Sequence, residues 1–465
     1  MRLDFLTRDF LLESEPAKAL YHLYAENAPI VDYHNHLSVS DICTDRQFAD
    51  IAQLWVCTDM YKFRAMRLAG LDERYMSGDA TPREKFDAWC SILPQLALNP
   101  LFHWSCLEMK NLFGLNVLPG PDTREEVWEK CNALLSRKDF SNNAILRKYG
   151  VVSLTTSDDF LDDVDLHTEA SRKSGIRVTP SLRADSALSF DKPSFKSWFD
   201  RLNKDGSIKS LEDYLSSLRF HLDRFHRNGC HLADHALDSG FAFVKTDIVK
   251  ASRIFSSLLS GVSLSGEESL GLRSFLLEFL AKEYATRGWV MQLHIGAERW
   301  TSSRLRSVAG PAGGYACPGG NVDVRSLCDF LDRLDTQDLL PKTILYTLNP
   351  SDNEILSTLT GSFGLSGCQK LQFGPAWWYN DHKEGIERNL KALSSYSILF
   401  RSLGMTTDSR TILSFSRHEY YRRILCNYLG GLMSRGELPS DLDYVGQAVL
   451  DICYRNANKW IYNEQ

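Results

Sequence analysis

The stretch Pro29-Ile30-Val31-Asp32-Tyr33-His34-Asn35-His36-Leu37 is a short apolar run that ends in two histidines one residue apart. A run of this length and composition predicts a β-strand. Because alternate side chains of a strand share a face, His34 and His36 point to the same side. Two imidazoles on one face can bind one divalent ion, or they can pack and hydrogen-bond locally. The rest of the chain has to distinguish these two interpretations.

The composition carries neither a nucleic-acid nor a membrane signature. The chain has 465 residues, 43% of them hydrophobic, and a formal net charge of −6 with both signs interspersed. This is enough for one large domain or two ordinary ones, without the basic patch that nucleic-acid binding requires. No apolar run approaches the ~18 residues that span a bilayer, and the first residues do not resemble a secretory signal. Eleven cysteines without a Cys-x-x-Cys pair predict reduced thiols in a cytoplasmic protein.

Short apolar runs alternate with helical segments along most of the chain. Residues 1–40 are predicted to hold an N-terminal helix and the first strand, residues 41–150 a helical insertion, and residues 151–465 the remainder of the fold. Thr81-Pro82 followed by Glu84 is a typical helix start within the insertion. Eight strands are predicted, near residues 31, 152, 179, 233, 292, 345, 372 and 406. Strands alternating with helices predict a parallel sheet.

Reactive side chains follow the predicted strands and favour a barrel over a doubly wound sheet. In a (β/α)₈ barrel the active site lies at the carboxyl ends of the strands. The residues at or just past such ends are His34, His36, Arg183, Asp234, His294, Trp377, Asp408 and Arg410. We therefore predict an α/β fold, a (β/α)₈ TIM-type barrel with a large helical insertion after the first strand.

An ordered set of motifs resembles the uronate isomerase (glucuronate isomerase) family of the amidohydrolase-like metal-dependent barrels. A His-x-His after the first strand, a His after the fifth and an Asp after the eighth resemble the metal site of these barrels. The blocks that resemble uronate isomerase are Asp32–Leu37, Tyr61–Arg67, Asn99–Trp104, Met291–Ala297, Leu348–Glu354, Trp377–Asp381, Thr407–Arg410 and Arg417–Cys426. The resemblance implies an aldose–ketose isomerase that interconverts D-glucuronate with D-fructuronate and D-galacturonate with D-tagaturonate.

The resemblance also implies the site residues. The positions that match the metal site are His34, His36, His294 and Asp408, and those that match substrate contacts are Tyr61, Arg183, Arg299, Trp377, Arg410 and, after the fourth strand, Asp234. Two departures from the family pattern, Trp300-Thr301-Ser302 and Ser351, leave the preferred uronate open.

The chemistry of these residues is consistent with one metal ion and an anionic sugar. Binuclear amidohydrolases commonly carry a bridging Lys after the fourth strand, but here the sequence is Ala233-Asp234-His235. Three imidazoles and one carboxylate suit a single divalent ion, with Zn²⁺ as the prediction. A uronate carboxylate also accounts for several arginines at strand ends, because a guanidinium binds a carboxylate through two parallel hydrogen bonds.

The predicted mechanism is proton transfer through an enediol. Asp408 is the candidate base, Tyr61 the candidate acid or proton relay, and Arg410 with the metal stabilises negative charge on oxygen. The assignment of base and acid can also be reversed. Two other functions share parts of this pattern: a mononuclear metal-dependent hydrolase, and a sugar-acid-binding protein without catalysis. We further expect a small-molecule partner only, apart from self-association into a homo-oligomer.

Overall fold

The computed structural model describes residues 3–365 and 369–464. The described residues form a curled parallel sheet of seven strands and a separate two-stranded antiparallel sheet. In chain order the strands are β1 (Ile30–Asn35), β2 (Val151–Asp159), β3 (Arg177–Arg183), β4 (Leu232–Leu237), β5 (Val290–Ile295), β6 (Ala297–Glu298), β7 (Cys317–Pro318), β8 (Thr343–Thr347) and β9 (Leu371–Phe373). The parallel sheet has the order β1-β2-β3-β4-β5-β8-β9, and β6 pairs with β7. This confirms the predicted α/β class.

The strand register brings the carboxyl ends of the strands to one edge. Asp159 at the end of β2 pairs with Arg183 at the end of β3, and Arg183 pairs in turn with Asp234 on β4. Further along the sheet, Ala236 pairs with His294 of β5, and His294 pairs with Tyr346 of β8. Residues far apart in the chain therefore meet at this edge, which is where the active sites of (β/α)₈ barrels lie.

The eighth predicted strand, near residue 406, is not a strand in the structure. Residues 402–409 have no regular secondary structure and lie beside β1, where the Asp408 N–H donates to the His34 carbonyl (3.0 Å) and the His36 N–H donates to the Ser409 carbonyl (2.8 Å). A regular parallel ladder would use the Asp408 carbonyl for the second bond, so the pairing slips by one residue. Asp408 has a left-handed backbone, with φ of 47°, which explains the slip.

Helices cover the sheet between the strands. The α-helices are α1 (Glu15–Leu20), α2 (Val39–Thr44), α3 (Ile51–Trp55), α4 (Met60–Leu68), α5 (Pro82–Ile92), α6 (Pro100–Phe113), α7 (Arg124–Leu135), α8 (Asn142–Lys148), α9 (Leu166–Ser174), α10 (Pro193–Leu202), α11 (Leu211–Arg227), α12 (Ile248–Leu259), α13 (Gly266–Arg287), α14 (Ser303–Ala309), α15 (Val324–Asp335), α16 (Asn353–Leu359), α17 (Lys383–Tyr396), α18 (Ser416–Ser434), α19 (Leu442–Leu450) and α20 (Asn456–Tyr462). Among the described residues, no helix is both long and apolar enough to cross a membrane.

Two helical predictions can be compared directly with the structure. The capping box at the start of α5 forms as expected, with the Thr81 and Glu84 side chains each bonded to the other's backbone N–H. The helical segment that the sequence predicts over about residues 195–228 consists of two helices, α10 and α11, which are separated by a turn at Gly206 with φ of 70°. Glycine adopts this left-handed conformation at little cost, so the chain reverses there.

Seven α-helices, α2 to α8, follow one another between β1 and β2. Their apolar side chains, including the fully buried Trp55 and Trp89, belong to the same hydrophobic cluster as Leu154 of β2. Burying an aromatic side chain of this kind contributes roughly 1.5–3 kcal/mol to folding. The division of the chain at residues 40 and 150 into separate domains stays a prediction.

Candidate active site

Four predicted metal ligands lie at the edge formed by the carboxyl ends of the strands. His34 and His36 come from the end of β1, His294 from the end of β5, and Asp408 from the irregular segment of residues 402–409 beside β1. The Asp408 Oδ1 lies 3.0 Å from the His36 Nε2 and 3.3 Å from the His34 Nε2. The rings of His34 and His294 are 4.5 Å apart between centroids. The barrel thus assembles residues separated by more than 370 positions.

The possible ligands form two overlapping groups that share His34. In the first, donor atoms of His34, His36 and Asp408 lie within 4.8 Å of one another, and in the second those of His34, Asp234 and His294 do so. Sequence reasoning placed all four histidine and aspartate ligands in one set and gave Asp234 to the substrate. Asp234 is therefore a candidate ligand that the sequence did not indicate.

The protonation states of two of the three histidines fit a metal site, whereas the Asp408 and Asp234 carboxylates raise the pKa of His34 in spite of its burial. Burial lowers the pKa of His36 to about 4 and that of His294 well below its usual value. Both imidazoles are consequently neutral at pH 7, as metal ligands must be. The buried Nε2 of His294 has no hydrogen-bond partner among the described residues. An unsatisfied buried nitrogen is costly, and a bound ion would satisfy it.

Asp408 is held in an unusual conformation by several polar contacts. Its Oδ2 accepts a hydrogen bond of 2.7 Å from the Trp377 indole, and its Oδ1 faces the two histidines of β1. Burial alone would raise the pKa of Asp408, but the hydrogen bonds with His34 and His36 outweigh it and lower that pKa well below the usual value. The side chain is therefore an ionised carboxylate at neutral pH.

His294 is packed between aromatic rings. It stacks on Tyr346 of β8 with centroids 4.5 Å apart and 3° between the ring planes, and its centroid is 4.8 Å from that of Trp377. The Tyr346 hydroxyl donates to the Gln292 side chain at 2.8 Å. Gly374 makes room for this stack, since a Cβ there would lie 2.5 Å from the Tyr346 ring. These contacts fix the orientation of the imidazole.

A cavity of about 740 Å³ opens above the histidines. Its lining includes Tyr61, Arg183, Arg299, Trp377 and Arg410, which were all predicted from the sequence. The three arginines have different partners. Arg183 binds Asp234 (3.1 Å) and Asp185 (2.9 Å), and Arg299 binds Asp238 (2.7 Å), whereas no described carboxylate lies within ion-pair distance of Arg410. The Arg410 guanidinium is thus available to an anion.

Tyr61 lies in the first turn of α4, on the cavity wall. The Asp59 side chain caps this helix by accepting hydrogen bonds from the Tyr61 and Lys62 N–H groups. Burial raises the pKa of Tyr61 well above its usual value, and the nearby Arg417 guanidinium opposes that increase only in part. The phenol therefore stays protonated at neutral pH and can donate a proton or a hydrogen bond.

Asp234 lies beneath the cavity wall and has no exposed surface. Its carboxylate accepts hydrogen bonds from Arg183 (3.1 Å), Ser157 (3.1 Å) and Ser181 (3.3 Å). Burial raises its pKa, and Arg183 opposes the increase. Asp234 therefore binds Arg183 and is not among the residues that line the cavity, and its contact with substrate stays a prediction.

The two departures from the family pattern occupy different environments. Trp300 lines the outer part of the cavity, and its side chain is 37% exposed with the Arg306 guanidinium 3.1 Å from its ring. Thr301 bonds the Tyr315 carbonyl and Ser302 caps α14. Ser351 is exposed on a turn outside the cavity lining. Only the first departure is therefore placed to influence substrate preference.

Sequence reasoning gave no role to a set of buried polar residues behind the site. These are Asp32, Asp381, Arg417 and His418, which have 0%, 3%, 1% and 3% of their surfaces exposed. All four lie inside the motif blocks, so their presence in those blocks was the available signal. Their function depends on contacts that no spacing in the sequence reveals.

Comparison with known proteins identifies similar chains over almost the whole length. The family model described as glucuronate isomerase matches residues 2–461. A uronate isomerase of Caldanaerobacter subterraneus subsp. tengcongensis is 40% identical over 464 residues, covering 98% of this chain and 99% of the relative. A uronate isomerase of Geobacillus thermodenitrificans is 41% identical over 462 residues, covering 98% of each chain.

A solved structure has the same fold. The crystal structure of a uronate isomerase from Thermotoga maritima superposes with a TM-score of 0.92 at 29% identity, covering 98% of this chain and 99% of that one. The match therefore extends over the barrel, the helices between β1 and β2, and the carboxyl-terminal helices.

Proposed function

The chain belongs to the glucuronate isomerase family, and from this premise we propose that it interconverts D-glucuronate with D-fructuronate and D-galacturonate with D-tagaturonate. Such an enzyme is an isomerase, an intramolecular oxidoreductase that converts an aldose into a ketose. The observation that carries the proposal is the family match over residues 2–461, which contains every residue of the candidate site. A function as a metal-dependent hydrolase is not favoured, since the curated relatives at 40% and 41% identity are uronate isomerases.

The charge of the substrate fits the cavity. We assign the uronate carboxylate to Arg410, whose guanidinium lines the cavity and has no carboxylate partner in the described part of the chain. Arg183 and Arg299 keep their internal partners and add positive potential around the sugar. A guanidinium and a carboxylate form paired charge-assisted hydrogen bonds, which makes this contact selective for sugar acids over neutral aldoses.

The reaction moves one hydrogen from C2 to C1 of the open-chain sugar. Asp408 removes the C2 proton while Tyr61 donates its proton to the carbonyl oxygen on C1, which gives the enediol. Asp408 then returns a proton to C1, and Tyr61 recovers a proton from the hydroxyl on C2, which leaves a ketone there. No electrons are gained or lost overall, and both side chains return to their starting states.

The charge states of the two residues support this direction of transfer. The pKa of Asp408 is lowered and that of Tyr61 is raised, so the first is a carboxylate and the second a neutral phenol at pH 7. A base must begin deprotonated and an acid must begin protonated. The reverse assignment would need both residues in their minor forms.

We propose that the bound metal is one Zn²⁺ ion, held by His34, His36, His294 and Asp408. The neutral imidazoles of His36 and His294 and the unsatisfied His294 Nε2 support a borderline metal ion at this place. When bound, such an ion polarises a carbonyl or hydroxyl oxygen of the substrate. Elemental analysis of purified protein tests the assignment, with His34→Ala and His36→Ala expected to hold less metal. Unchanged metal content in both variants would contradict it.

We also propose that the enzyme acts in the cytoplasm as a homo-oligomer. Free thiols at all ten cysteines in the described residues are consistent with a reducing compartment. Analytical ultracentrifugation of the purified chain measures the oligomeric state directly, and a monomer at micromolar concentration would contradict the second part of the proposal.

The decisive experiment is NMR of each uronate incubated with the purified protein. We expect signals of D-fructuronate from D-glucuronate and of D-tagaturonate from D-galacturonate, with no signal from a cleaved product. An Asp408→Asn protein prepared in parallel is the control for contaminating isomerase from the expression host. If wild-type protein leaves both uronates unchanged, the proposed function is wrong.

A further inference from the structure

Arg417 is a buried arginine behind the cavity. It lies in the first turn of α18 with 1% of its surface exposed, and it does not line the cavity. Its Nη1 donates to the Asp381 carboxylate at 2.6 Å and its Nη2 to the Thr407 carbonyl at 2.5 Å. In the described part of the chain, the Arg417 Nε and the Asp381 Oδ1 have no hydrogen-bond partner.

A buried and incompletely satisfied ion pair is a poor source of stability. Removing two charges from water costs about as much as their attraction returns, and apolar replacements are often neutral or stabilising. The remaining contacts of Arg417 indicate a different role, since each of them leads to a segment that carries a residue of the active site.

The first of these segments is the peptide unit between Thr407 and Asp408. Arg417 donates to the Thr407 carbonyl of this unit, and the Asp408 N–H of the same unit donates to the His34 carbonyl at 3.0 Å. The preceding N–H, that of Thr407, donates to Asp32 at 2.9 Å, and the same Asp32 oxygen lies 3.0 Å from the His418 Nε2. Arg417 therefore fixes the backbone on one side of Thr407 directly, and the next residue of α18, His418, fixes the other side through Asp32.

These hydrogen bonds matter for the site because Asp408, the next residue, has a left-handed backbone with φ of 47°. A residue with a side chain pays about 1 kcal/mol or more to adopt the left-handed region, so the backbone would relax unless its neighbours held it. The rotation of this peptide plane decides where the Asp408 carboxylate points.

Two further segments meet the same guanidinium. The Arg417 Cζ lies 5.7 Å from the centroid of the Tyr61 ring and 4.9 Å from that of Trp104, which itself packs edge-on against Tyr61 at 5.8 Å. Asp381 belongs to the turn that begins at Trp377, whose indole binds the Asp408 carboxylate. One side chain thus contacts the supports of Asp408, Tyr61 and Trp377.

We propose that Arg417 is a positioning residue of this site, which orients the Asp408 carboxylate through the Thr407 carbonyl and the Tyr61 phenol through its ring face. As far as turnover is concerned, the inference rests on the proposed function. The orientation of Asp408 also bears on metal affinity, which can be measured without any assumption about the reaction.

The experiment compares Arg417→Met and Arg417→Lys with Arg422→Met as the matched control. Arg422 lies on the same helix with 5% of its surface exposed and also donates to backbone carbonyls, those of Ala28 (2.7 Å) and Pro29 (2.9 Å), but it is outside the cavity. Steady-state kinetics with D-glucuronate give kcat and KM separately, and competition with a chelator gives the Zn²⁺ affinity of the metal-free protein.

We expect Arg417→Met to lower kcat by about 10²-fold with KM close to the wild-type value, because a small displacement of reacting groups affects the chemical step most. Its Zn²⁺ affinity should fall by about 10–100-fold, as for other residues that orient a metal ligand. Arg417→Lys should recover part of the wild-type kcat and part of the Zn²⁺ affinity, since an ammonium can bind either Asp381 or Thr407. Arg422→Met should match wild type in both.

Equal kcat and equal Zn²⁺ affinity in Arg417→Met and Arg422→Met would overturn the inference, as would a loss confined to KM. If Arg417→Met does not fold, Arg417→Lys takes its place, and wild-type values of both quantities in that variant would overturn the inference. A wild-type protein that isomerises neither uronate would refute the proposed function instead, and the zinc comparison would still test Arg417.

Discussion

At the scale of single residues, the arrangement of charges distinguishes groups that are already paired from those left for a substrate. Arg183 and Arg299 are bound to aspartates of this chain, and Arg410 is not bound to any described carboxylate. Asp408 is ionised and faces the imidazoles of β1, while Tyr61 keeps its proton. These differences lead to two predictions about individual side chains.

The first prediction concerns proton transfer by Asp408. Asp408→Asn should lower turnover by about 10²–10⁴-fold, because an amide cannot accept the C2 proton. Product formed by the wild-type enzyme in D₂O should carry some deuterium at C1, measured by NMR, since the base exchanges with solvent. Metal content must be measured alongside the rate, because Asp408 is also a proposed ligand.

Asp191→Asn is the matched control for this variant. Asp191 also lines the cavity but binds Arg273 at 2.8 Å and belongs to neither group of possible metal ligands, so turnover of Asp191→Asn should stay near wild type. A metal-loaded Asp408→Asn enzyme with turnover like that of Asp191→Asn would remove Asp408 from the proton-transfer step.

The second prediction concerns recognition of the carboxylate by Arg410. Arg410→Met should reduce kcat/KM for D-glucuronate by the equivalent of roughly 2–5 kcal/mol, because the bound carboxylate loses its charged partner. Activity toward D-glucuronamide, an uncharged analogue, should change much less. Arg183→Met should also weaken activity, although it additionally leaves Asp234 without its cation. If the ratio of kcat/KM for D-glucuronate to that for D-glucuronamide is the same in Arg410→Met as in wild type, Arg410 does not bind the carboxylate.

At the scale of secondary-structure elements, helix α4 is the part of the helical region that contributes to the cavity. It is held by the loop between β6 and β7, where the Ala316 carbonyl accepts from Arg64 (3.3 Å) and the Gly313 carbonyl accepts from Arg67 (2.9 Å). Gly314 has φ of 74°, and a Cβ there would lie 2.4 Å from the Met60 carbonyl oxygen. The loop and the first turn of α4 are therefore in direct backbone contact.

The third prediction follows from that contact. Gly314→Ala should displace the first turn of α4, which carries Tyr61, and lower kcat by between tenfold and about 10²-fold. Gly114→Ala is the control, because Gly114 also has a left-handed backbone, with φ of 66°, but a Cβ there would have no described atom of another segment within 4 Å. Both variants should lose about 1 kcal/mol or more of stability from the strained backbone. Equal kcat in the two would show that the loop does not support Tyr61.

At the scale of the whole molecule, several titratable groups are enclosed in the barrel and make its stability depend on pH. His235 on β4 has no exposed surface and bonds the Tyr284 hydroxyl at 3.1 Å. Burial lowers its pKa to about 4. The unfolded chain, in which a histidine has its ordinary pKa near 6.5, therefore binds a proton that the folded chain does not bind between these two values.

The fourth prediction is the resulting loss of stability in acid. Because the unfolded state binds the extra proton, the free energy of unfolding should fall as the pH decreases from about 6.5 toward about 4. The contribution of His235 between pH 7 and pH 5 is about 2 kcal/mol. Urea unfolding of wild type and His235→Gln at both pH values measures it, since glutamine can keep the bond to Tyr284 without titrating. Parallel pH dependence in the two proteins would contradict the prediction.

The order of the strands and helices, and the edge at which the site forms, can be predicted from local sequence patterns. Seven of the eight predicted strands exist, because buried parallel strands are short apolar runs bounded by turns and helices, and this is a local property. The same reasoning indicated the reactive residues at the strand ends, since parallel strands bring those ends together. The prediction of a strand failed at residue 406, where the backbone of Asp408 turns left-handed.

The pairing of the charges, in contrast, depends on contacts that form only in the folded chain. Sequence reasoning counted three similar arginines, but the folded chain binds Arg183 and Arg299 internally and leaves Arg410 to the cavity. The burial of Asp234 and its hydrogen bond with Arg183 are likewise visible only in the folded chain. Contacts such as that of Asp32 with His418 join residues 386 positions apart. Pairing and burial of this kind depend on which distant segments become neighbours, and they in turn set the pKa of each group. No local sequence pattern therefore contains them.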